Sequence, residues 1–175
     1  MGPRAAPVLE TARLILRPFR ADDADAQAAM MGDPIVMRHI GGQGLSREDA
    51  WRKLLCGAAC WSIFGWGYWA VERRADARMI GQLGFADFKR DIDPSIEGLP
   101  EMGWLFAAEA SGQGFATEAG RAALEWIEAA HAPDEVVAII DGANAPSIRV
   151  AEKLGFAARA EARYKGGPIL LFRRA

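Results

Sequence analysis

Apolar and polar residues alternate along the chain with two different periods, one typical of helices and one typical of strands. Between Trp51 and Trp61 apolar side chains recur every three or four positions, which predicts an amphipathic helix. Ser46 can cap this helix, with Asp49 in the last position of a capping box, and we expect the helix to end near Phe64. Short apolar runs instead predict strands at residues 14–16, 68–71, 79–85, 101–106 and 136–140.

Turn and capping residues define the remaining elements. The run 136–140 is apolar throughout, which is typical of a strand buried on both faces. Two last strands are expected on either side of residues 166–168. Helices are predicted from Asp22 or Asp23 to about Met31, from the turn 111–114 to about Ala130, and from Asn144 to Gly155. Near the C-terminus this order predicts a right-handed βαβ crossover in a mixed α/β fold.

Length and composition describe one globular unit. The chain has 175 residues, and about 150 residues per domain is usual, so one domain is expected. Apolar residues make up 51% and charged residues 25%, which excludes wholesale disorder. We predict an N-terminal tail over residues 1–10 and a single domain over residues 11–175.

Charge balance and hydropathy exclude two classes of partner. The 21 Lys and Arg residues against 23 Asp and Glu residues give a net charge of −2, without the positive excess of a general nucleic-acid-binding protein. No segment reaches the roughly 18 uncharged apolar residues that a membrane span needs, and the first residues do not match a secretory signal. A cytoplasmic protein with neither nucleic-acid nor membrane partners is therefore predicted.

Cysteine and histidine are scarce. Cys56 and Cys60, with His39 and His131, are too few for a disulfide framework or a zinc site built from these residues, so no metal is expected. The two cysteines lie four positions apart on one face of a predicted helix. This spacing allows two interpretations, a pair of buried thiols or a redox pair.

The segment most informative about chemistry is the turn 111–117, Ser-Gly-Gln-Gly-Phe-Ala-Thr, which joins a predicted strand to a predicted helix. The first amides of a helix lack intrahelical acceptors, and together with the positive end of the helix dipole they suit a phosphate. Gly112 and Gly114 permit close approach to the backbone, and Ala116 keeps the entry narrow. The alternative is an ordinary helix start with turn glycines.

Further segments occur in a fixed order around this turn. They are Thr-Ala-Arg-Leu-Ile-Leu-Arg-Pro at 11–18, Gly-Tyr-Trp-Ala-Val at 67–71, Ile-Gly-Gln-Leu-Gly-Phe at 80–85, Glu-Met-Gly-Trp-Leu-Phe at 101–106, Gly-Gln-Gly-Phe-Ala-Thr-Glu-Ala at 112–119, and 144–156. In order and spacing the chain resembles the GNAT acetyltransferase superfamily, in the branch of ribosomal-protein-alanine N-acetyltransferases (RimJ/RimL type). The resemblance implies the acyl-CoA N-acyltransferase fold. That fold has a mixed, mostly antiparallel sheet of about seven strands with a splayed parallel pair, flanked by about four helices.

The resemblance also implies an N-acetyltransferase with acetyl-CoA as co-substrate. In the family, the strand matching 102–106 splays from the strand matching 136–140, and its backbone pairs with the pantetheine arm. The turn 111–116 would hold the pyrophosphate, and Asn144 would hold the pantetheine or thioester region unless it only caps its helix. The implied cofactor-binding residues are Trp104, Leu105, Phe106, Ser111, Gly112, Gln113, Gly114, Phe115, Ala116, Thr117, Asn144 and Ser147.

The chain departs from the family pattern at two positions. Ser111 stands where the family usually has Gln, Arg or a bulky residue, so one pyrophosphate contact is missing while the backbone amides remain. Ala151 stands where many relatives have a tyrosine general acid. Ser147 is our candidate donor to the leaving thiolate, with Tyr164 or water as alternatives. Because a thiol has a pKa of about 8.5, weak assistance is sufficient.

Glu101 is the candidate base. It begins the central strand and would act on the amine through water, unless it only pairs with an arginine. A neutral α-amino group costs roughly 1 kcal/mol at pH 7 against roughly 4.6 kcal/mol for a lysine, so an N-terminal amine demands less of a base. A backbone N–H near Leu105 would hold the oxyanion, and direct transfer in a ternary complex is expected.

The acceptor side has three candidate residues. The loop from Asp87 to Glu97 carries four carboxylates, so that Asp87 would attract a cationic amine, unless the loop is merely solvated. Trp66 is the candidate wall of the acceptor pocket. His39 is either a second base or a surface histidine.

Two other functions compete with acetyl transfer. A catalytically silent acyl-CoA-binding or regulatory module would explain Ala151. A nucleotide-phosphate binder would use the same turn, but the chain lacks the Lys-Ser/Thr of a Walker loop and the third glycine of the dinucleotide fingerprint. The expected acceptor is a primary amine, either a peptide N-terminus or a small molecule, and the expected assembly is a monomer or homodimer.

Overall fold

The computed structural model describes residues 5–175, apart from the side chain of residue 158. In this part the strands are β1 (Leu9–Glu10), β2 (Leu14–Arg17), β3 (Tyr68–Arg73), β4 (Arg78–Ala86), β5 (Ile92–Asp93), β6 (Glu101–Phe106), β7 (Val136–Ile140), β8 (Ala158–Tyr164) and β9 (Gly167–Arg174). The helices are α1 (Ala24–Gly32), α2 (Pro34–Met37), α3 (Arg47–Phe64), α4 (Phe115–His131) and α5 (Ala145–Lys153).

The strands form one sheet in the order β1-β2-β3-β4-β6-β7-β9-β8-β5. Every neighbouring pair in the described chain is antiparallel except β6 and β7. The predicted mixed, mostly antiparallel sheet with one parallel pair is therefore confirmed. The described residues hold nine strands and five α-helices, more than predicted, because β1, β5 and α2 are additional elements of two to four residues.

Helices cover both faces of the sheet. On one face the side chains of Trp69, Leu83 and Phe85 pack with α4 in the main core. On the other face α1, α2 and the start of α3 close over Leu105 through Met30, Met31, Met37 and Ala50. Because β6 alternates its side chains between these layers, its backbone is held at the middle of the molecule.

A buried ion pair fastens α1 to the sheet. Arg17, only 5% exposed, donates to both carboxylate oxygens of Asp23 at 2.8–2.9 Å and to Glu72 at 2.6 Å. Asp23 was predicted as a helix cap. It does occupy the N-cap position of α1, but its carboxylate binds Arg17 and the Arg20 amide rather than the helix amides.

The predicted cap of α3 is present, since Ser46 Oγ accepts a hydrogen bond from the Asp49 amide at 3.1 Å. The N-terminal segment is more ordered than a loose tail. Ala6 is buried and Leu9–Glu10 pairs with β2, while residues 1–4 lie outside the described part. The division into a tail and one domain stays a prediction. Among residues 5–175, no helix combines the length and apolar content needed to cross a membrane.

Candidate active site

The two parallel strands at the centre of the sheet diverge along their length. Their pairing rests on Glu101 opposite Val137, supported by the Val137 amide donating to the Pro100 carbonyl at 3.1 Å. Beyond this point, within the described chain, β6 has no further register partner in β7. The backbone groups of residues 102–106 that face β7 are thus available to an extended ligand lying in the gap.

The turn 111–114 follows β6 after one 3-10 turn over Ala108–Ala110 and leads directly into α4. All four turn residues are exposed, and Gly112 and Gly114 adopt the left-handed conformation with φ of 76° and 81°. Gly114 is the N-cap residue of α4 and supplies no side-chain cap. The first helical bond runs from the Glu118 amide to the Gly114 carbonyl, so the preceding amides of α4 lack intrahelical acceptors. This is the geometry that suits an anionic group.

The N-terminal segment holds this turn in place. Arg13 donates to the Gln113 carbonyl at 3.0 Å, and its guanidinium lies 4.5 Å from the centroid of the Phe115 ring. Arg13 also binds Glu118 through its Nε at 2.7 Å and its amide at 2.9 Å, and Thr11 Oγ1 donates to Glu118 at 2.6 Å. The segment 11–13 therefore braces the first turn of α4.

These contacts make the stability of the brace depend on pH. Burial alone would raise the pKa of Glu118, but the hydrogen bonds from Thr11 and Arg13 outweigh burial and hold that pKa below its ordinary value. A carboxyl whose pKa is lowered by folding stabilises the fold above its unfolded pKa, about 4.3, and this contribution is lost as the pH falls through the folded pKa.

We therefore predict that Glu118→Gln lowers the free energy of unfolding by about 1–2 kcal/mol at pH 7. The difference from the wild type should shrink as the pH falls below about 4.3. Chemical denaturation at pH 7 and pH 3.5 measures both values. Glu125→Gln is the matched control, because Glu125 is exposed on the same helix and forms no ion pair in the described chain. A Glu118→Gln difference of equal size at both pH values would contradict the prediction.

At the start of α5, Asn144 acts as the N-cap: its Oδ1 accepts from the Ser147 amide at 3.2 Å. The capping alternative for Asn144 is thus present in the structure, and its side-chain amide N–H groups stay available to a ligand. Ser147 is half-buried on the same turn. Ala151 is fully buried in the main core and offers no proton donor.

The predicted base lies in a buried ion pair. Glu101 is 4% exposed, and its carboxylate accepts from Arg90 Nε at 2.5 Å and Arg90 Nη2 at 2.8 Å. Arg90 Nη1 also donates to the Tyr164 hydroxyl at 2.7 Å. The pairing with an arginine is thus present, and it fills two of about four acceptor positions on the carboxylate. The catalytic role of Glu101 stays a prediction.

Tyr68 places a phenol over the splayed strand. Tyr68 lies opposite Gly84, which lies opposite Gly103, so the three share one face of the sheet. A Cβ added at Gly103 would overlap the Tyr68 hydroxyl, so the ring spans both glycines. Burial and then the charge of Glu101 raise the pKa of Tyr68, against a smaller opposite effect of Arg90. The phenol is therefore protonated at neutral pH and can donate.

Asp87 lies in its loop rather than facing solvent. Its carboxylate accepts from Lys89 Nζ at 2.6 Å, the Lys89 amide at 3.1 Å and the Gly98 amide at 2.9 Å. Its side chain is only 6% exposed. These bonds close the loop, and substrate binding by Asp87 stays a prediction.

A cavity of about 410 Å³ opens beside this loop. It is lined by residues 88–91, by Lys53 of α3, and by Tyr164 and Lys165 of the β8–β9 hairpin. We call it the cationic cavity, since four of its seven lining residues are Lys or Arg. Because Arg90 contacts Glu101, the cavity adjoins the beginning of β6.

Two other predicted acceptor residues lie away from this cavity. Trp66 stacks on Phe64 with ring centroids 4.7 Å apart and packs against the main core. His39 Nδ1 lies 3.2 Å from an Asp141 oxygen, which links the segment after α2 to the end of β7. Their proposed roles stay predictions.

Both cysteines are free thiols in α3: Cys56 is exposed and Cys60 is buried. Burial, with a smaller effect of Cys56, raises the pKa of Cys60 to about 11. The Cys60 thiol is therefore protonated at neutral pH, which does not favour a nucleophilic or redox role.

The structure thus brings the splayed strands, the turn 111–114 and the start of α5 to one region. Sequence reasoning missed Arg13, Arg90 and Tyr68. Arg13 and Tyr68 both lie inside motifs that carried the family resemblance, so their positions were visible although their contacts were not. No sequence signal distinguished Arg90 from the other arginines of the chain.

Comparison with known proteins agrees with this geometry. A family model described as "Acetyltransferase (GNAT) domain" matches residues 13–157. The uncharacterized N-acetyltransferase YoaA of Bacillus subtilis is 30% identical over 154 residues, which cover 86% of this chain and 82% of that protein.

Solved structures show the same fold. An acetyltransferase from Agrobacterium tumefaciens superposes with a TM-score of 0.81 at 26% identity, covering 98% of this chain and 95% of the other. A ribosomal-protein-S5-alanine acetyltransferase from Vibrio fischeri gives a TM-score of 0.68 at 17% identity, covering 97% and 96%. At that identity the second likeness concerns the fold alone.

Proposed function

The chain belongs to the GNAT acetyltransferase family, and from this premise we propose that it transfers the acetyl group of acetyl-CoA to a primary amine by direct attack in a ternary complex. The observation that carries the proposal is the meeting of two features at one end of the sheet. The backbone of β6 is open towards β7, and the open amides of α4 follow β6 in the chain after the 3-10 turn Ala108–Ala110 and the turn 111–114. A ligand with an extended amide-bearing arm and a diphosphate matches both.

In this proposal the turn 111–114 and the amides of Phe115, Ala116 and Thr117 hold the diphosphate, and Arg13, itself paired with Glu118, keeps the turn in place. The arm lies between β6 and β7 along Trp104, Leu105 and Phe106. The side-chain amide of Asn144, whose oxygen is already used for capping, donates to the arm.

The chemical step needs three things of the protein. A neutral amine forms the C–N bond, and a backbone N–H near Leu105 stabilises the oxyanion. Glu101 accepts the amine proton through water. The C–S bond then breaks and the thiolate takes a proton from Ser147, with Tyr164 or water as alternatives. The protonated phenol of Tyr68 in β3, which lies over Gly103 of β6, is a further donor.

The decisive test is an acceptor screen. Purified protein is mixed with acetyl-CoA and a panel of primary amines and peptides with different first residues, and release of CoA thiol is measured. Calorimetry with CoA runs in parallel. Thiol release that depends on an amine supports the proposal. CoA binding without release by any amine favours the silent module, and binding of ATP or NAD but not CoA favours the nucleotide-phosphate binder.

Direct transfer also predicts that the cysteines are dispensable. In a Cys56→Ser/Cys60→Ala variant we expect kcat to stay within about twofold of the wild type, because neither thiol carries the acetyl group. Steady-state thiol release measures kcat, and mass spectrometry during turnover looks for an acetylated cysteine. Loss of most activity, or an acetyl group trapped on Cys56, would refute direct attack.

A further inference from the structure

The cationic cavity lies on the sheet face opposite α4, between α3 and the β8–β9 hairpin. Its two walls are joined, because β5 pairs with β8 through Ile92 opposite Tyr164. The aromatic rings of Phe88 and Tyr164 flank Arg90, whose guanidinium carbon lies 4.8 Å and 5.1 Å from their centroids. Arg90 and the two aromatic rings therefore form the floor of the cavity, and the charged side chains of the other lining residues form its rim.

Two of the four lining cations have no carboxylate partner in the described chain. Lys89 is neutralised by Asp87 at 2.6 Å and Glu97 at 3.1 Å, and Arg90 by Glu101. In the described chain no carboxylate lies within ion-pair distance of Lys53 or Lys165. Asp91 is the single carboxylate among the lining residues. Lys53 and Lys165 are therefore the lining cations that remain available to an anionic group.

We propose that this cavity selects the acceptor, and that the acceptor is a small primary amine that also carries a carboxylate or phosphate group. The inference rests on the proposed function, since it names the substrate class of the same enzyme. Lys53 and Lys165 bind the anionic group from opposite walls. A volume of about 410 Å³ is in the usual range for a small-molecule pocket.

The position of the cavity aims the amine at the splayed strand. Arg90 in the cavity floor holds Glu101, the first residue of β6. Phe88 in the wall lies near Tyr68, with ring centroids 6.4 Å apart, and the Tyr68 hydroxyl lies over Gly103. Arg90 and Phe88 are therefore the lining residues that connect the cavity to Glu101 and to the Tyr68 hydroxyl over β6.

Matched amines test the charge preference. Thiol release from acetyl-CoA is compared for glutamate against glutamine, glucosamine 6-phosphate against glucosamine, and the peptide Ala-Asp-Asp against Ala-Asn-Asn. We expect kcat/KM to be about tenfold or more higher for the anionic small molecules. The peptide pair tests whether the acceptor is instead an acidic polypeptide. A preference for the anionic member that occurs only in this pair would overturn the small-molecule assignment. Equal rates within all pairs, or faster neutral amines, would overturn the proposal and leave acetyl transfer intact.

Variants then assign the preference to the cavity. Lys53→Gln combined with Lys165→Gln should lower kcat/KM for the anionic member about tenfold, while the neutral member and the KM for acetyl-CoA stay unchanged. Lys153→Gln, on α5 outside the cavity, is the matched control. If no amine releases thiol, the proposed function fails. Binding of the same amine pairs to the CoA-loaded protein then decides: selective binding of the anionic member, lost in the double variant, supports the cavity, and its absence overturns it.

Discussion

Glu101→Gln is expected to lower kcat/KM for acetyl transfer by about 100-fold or more, since a positioned general base contributes about 10²–10⁴-fold. Glutamine keeps the size of the side chain and one oxygen for Arg90, but it cannot accept a proton. The carboxylate is only 4% exposed, so bulk water does not replace it. Steady-state thiol release at constant pH measures the effect on kcat/KM.

Arg90 provides the test of the alternative, in which Glu101 only positions the arginine. Arg90→Lys keeps a cation beside Glu101 and should retain far more activity than Glu101→Gln. Glu135→Gln is the control for loss of a carboxylate–arginine pair, because Glu135 pairs with Arg173 just before β7. If Arg90→Lys were as damaging as Glu101→Gln, Glu101 would be a positioning residue and not the base.

Local sequence signals were sufficient for the long elements of this fold. The predicted limits of the strands at residues 101–106 and 136–140 match the structure. Pro100 precedes the first strand, and Asp141 ends the apolar run of the second. The strands β1 and β5 were not predicted, since two residues carry no period and pair only through tertiary register. Helix α2 was missed because Pro34 was interpreted as a stop, whereas it begins a new turn capped by Asp33.

The candidate site likewise has parts that local sequence predicts and parts that depend on contacts between distant residues. The turn 111–114 could be predicted because its glycines and the start of α4 are adjacent in sequence. The brace by Arg13 could not, since Arg13 and Gln113 are 100 residues apart. The charge of the acceptor side was also hidden from sequence reasoning. Of the four carboxylates in the loop, the fold turns Asp87 inward to bind Lys89 and the Gly98 amide, while Asp91, Asp93 and Glu97 stay exposed.

Gly112→Val is expected to weaken CoA binding by about 30- to 100-fold, which corresponds to the loss of one or two hydrogen bonds to a charged group. Gly112 has a φ of 76°, where a β-branched residue is strained, so the turn must rearrange and withdraw its amides from the diphosphate. A Cβ at this position meets no protein atom within 4 Å, so packing of the core is not disturbed. Calorimetry with CoA measures the affinity.

Gly98→Val is the control that distinguishes the loss of CoA affinity from the general effect of backbone strain. Gly98 has a similar φ of 87°, also meets no atom within 4 Å, and lies in the loop before β6 rather than at the turn. Both variants should lose a comparable amount of stability in chemical denaturation, but only Gly112→Val should lose CoA affinity. If both bound CoA as the wild type does, the diphosphate would not lie on the amides of α4. The common premise for the roles of Arg13, Asn144 and the splayed strands would then be removed.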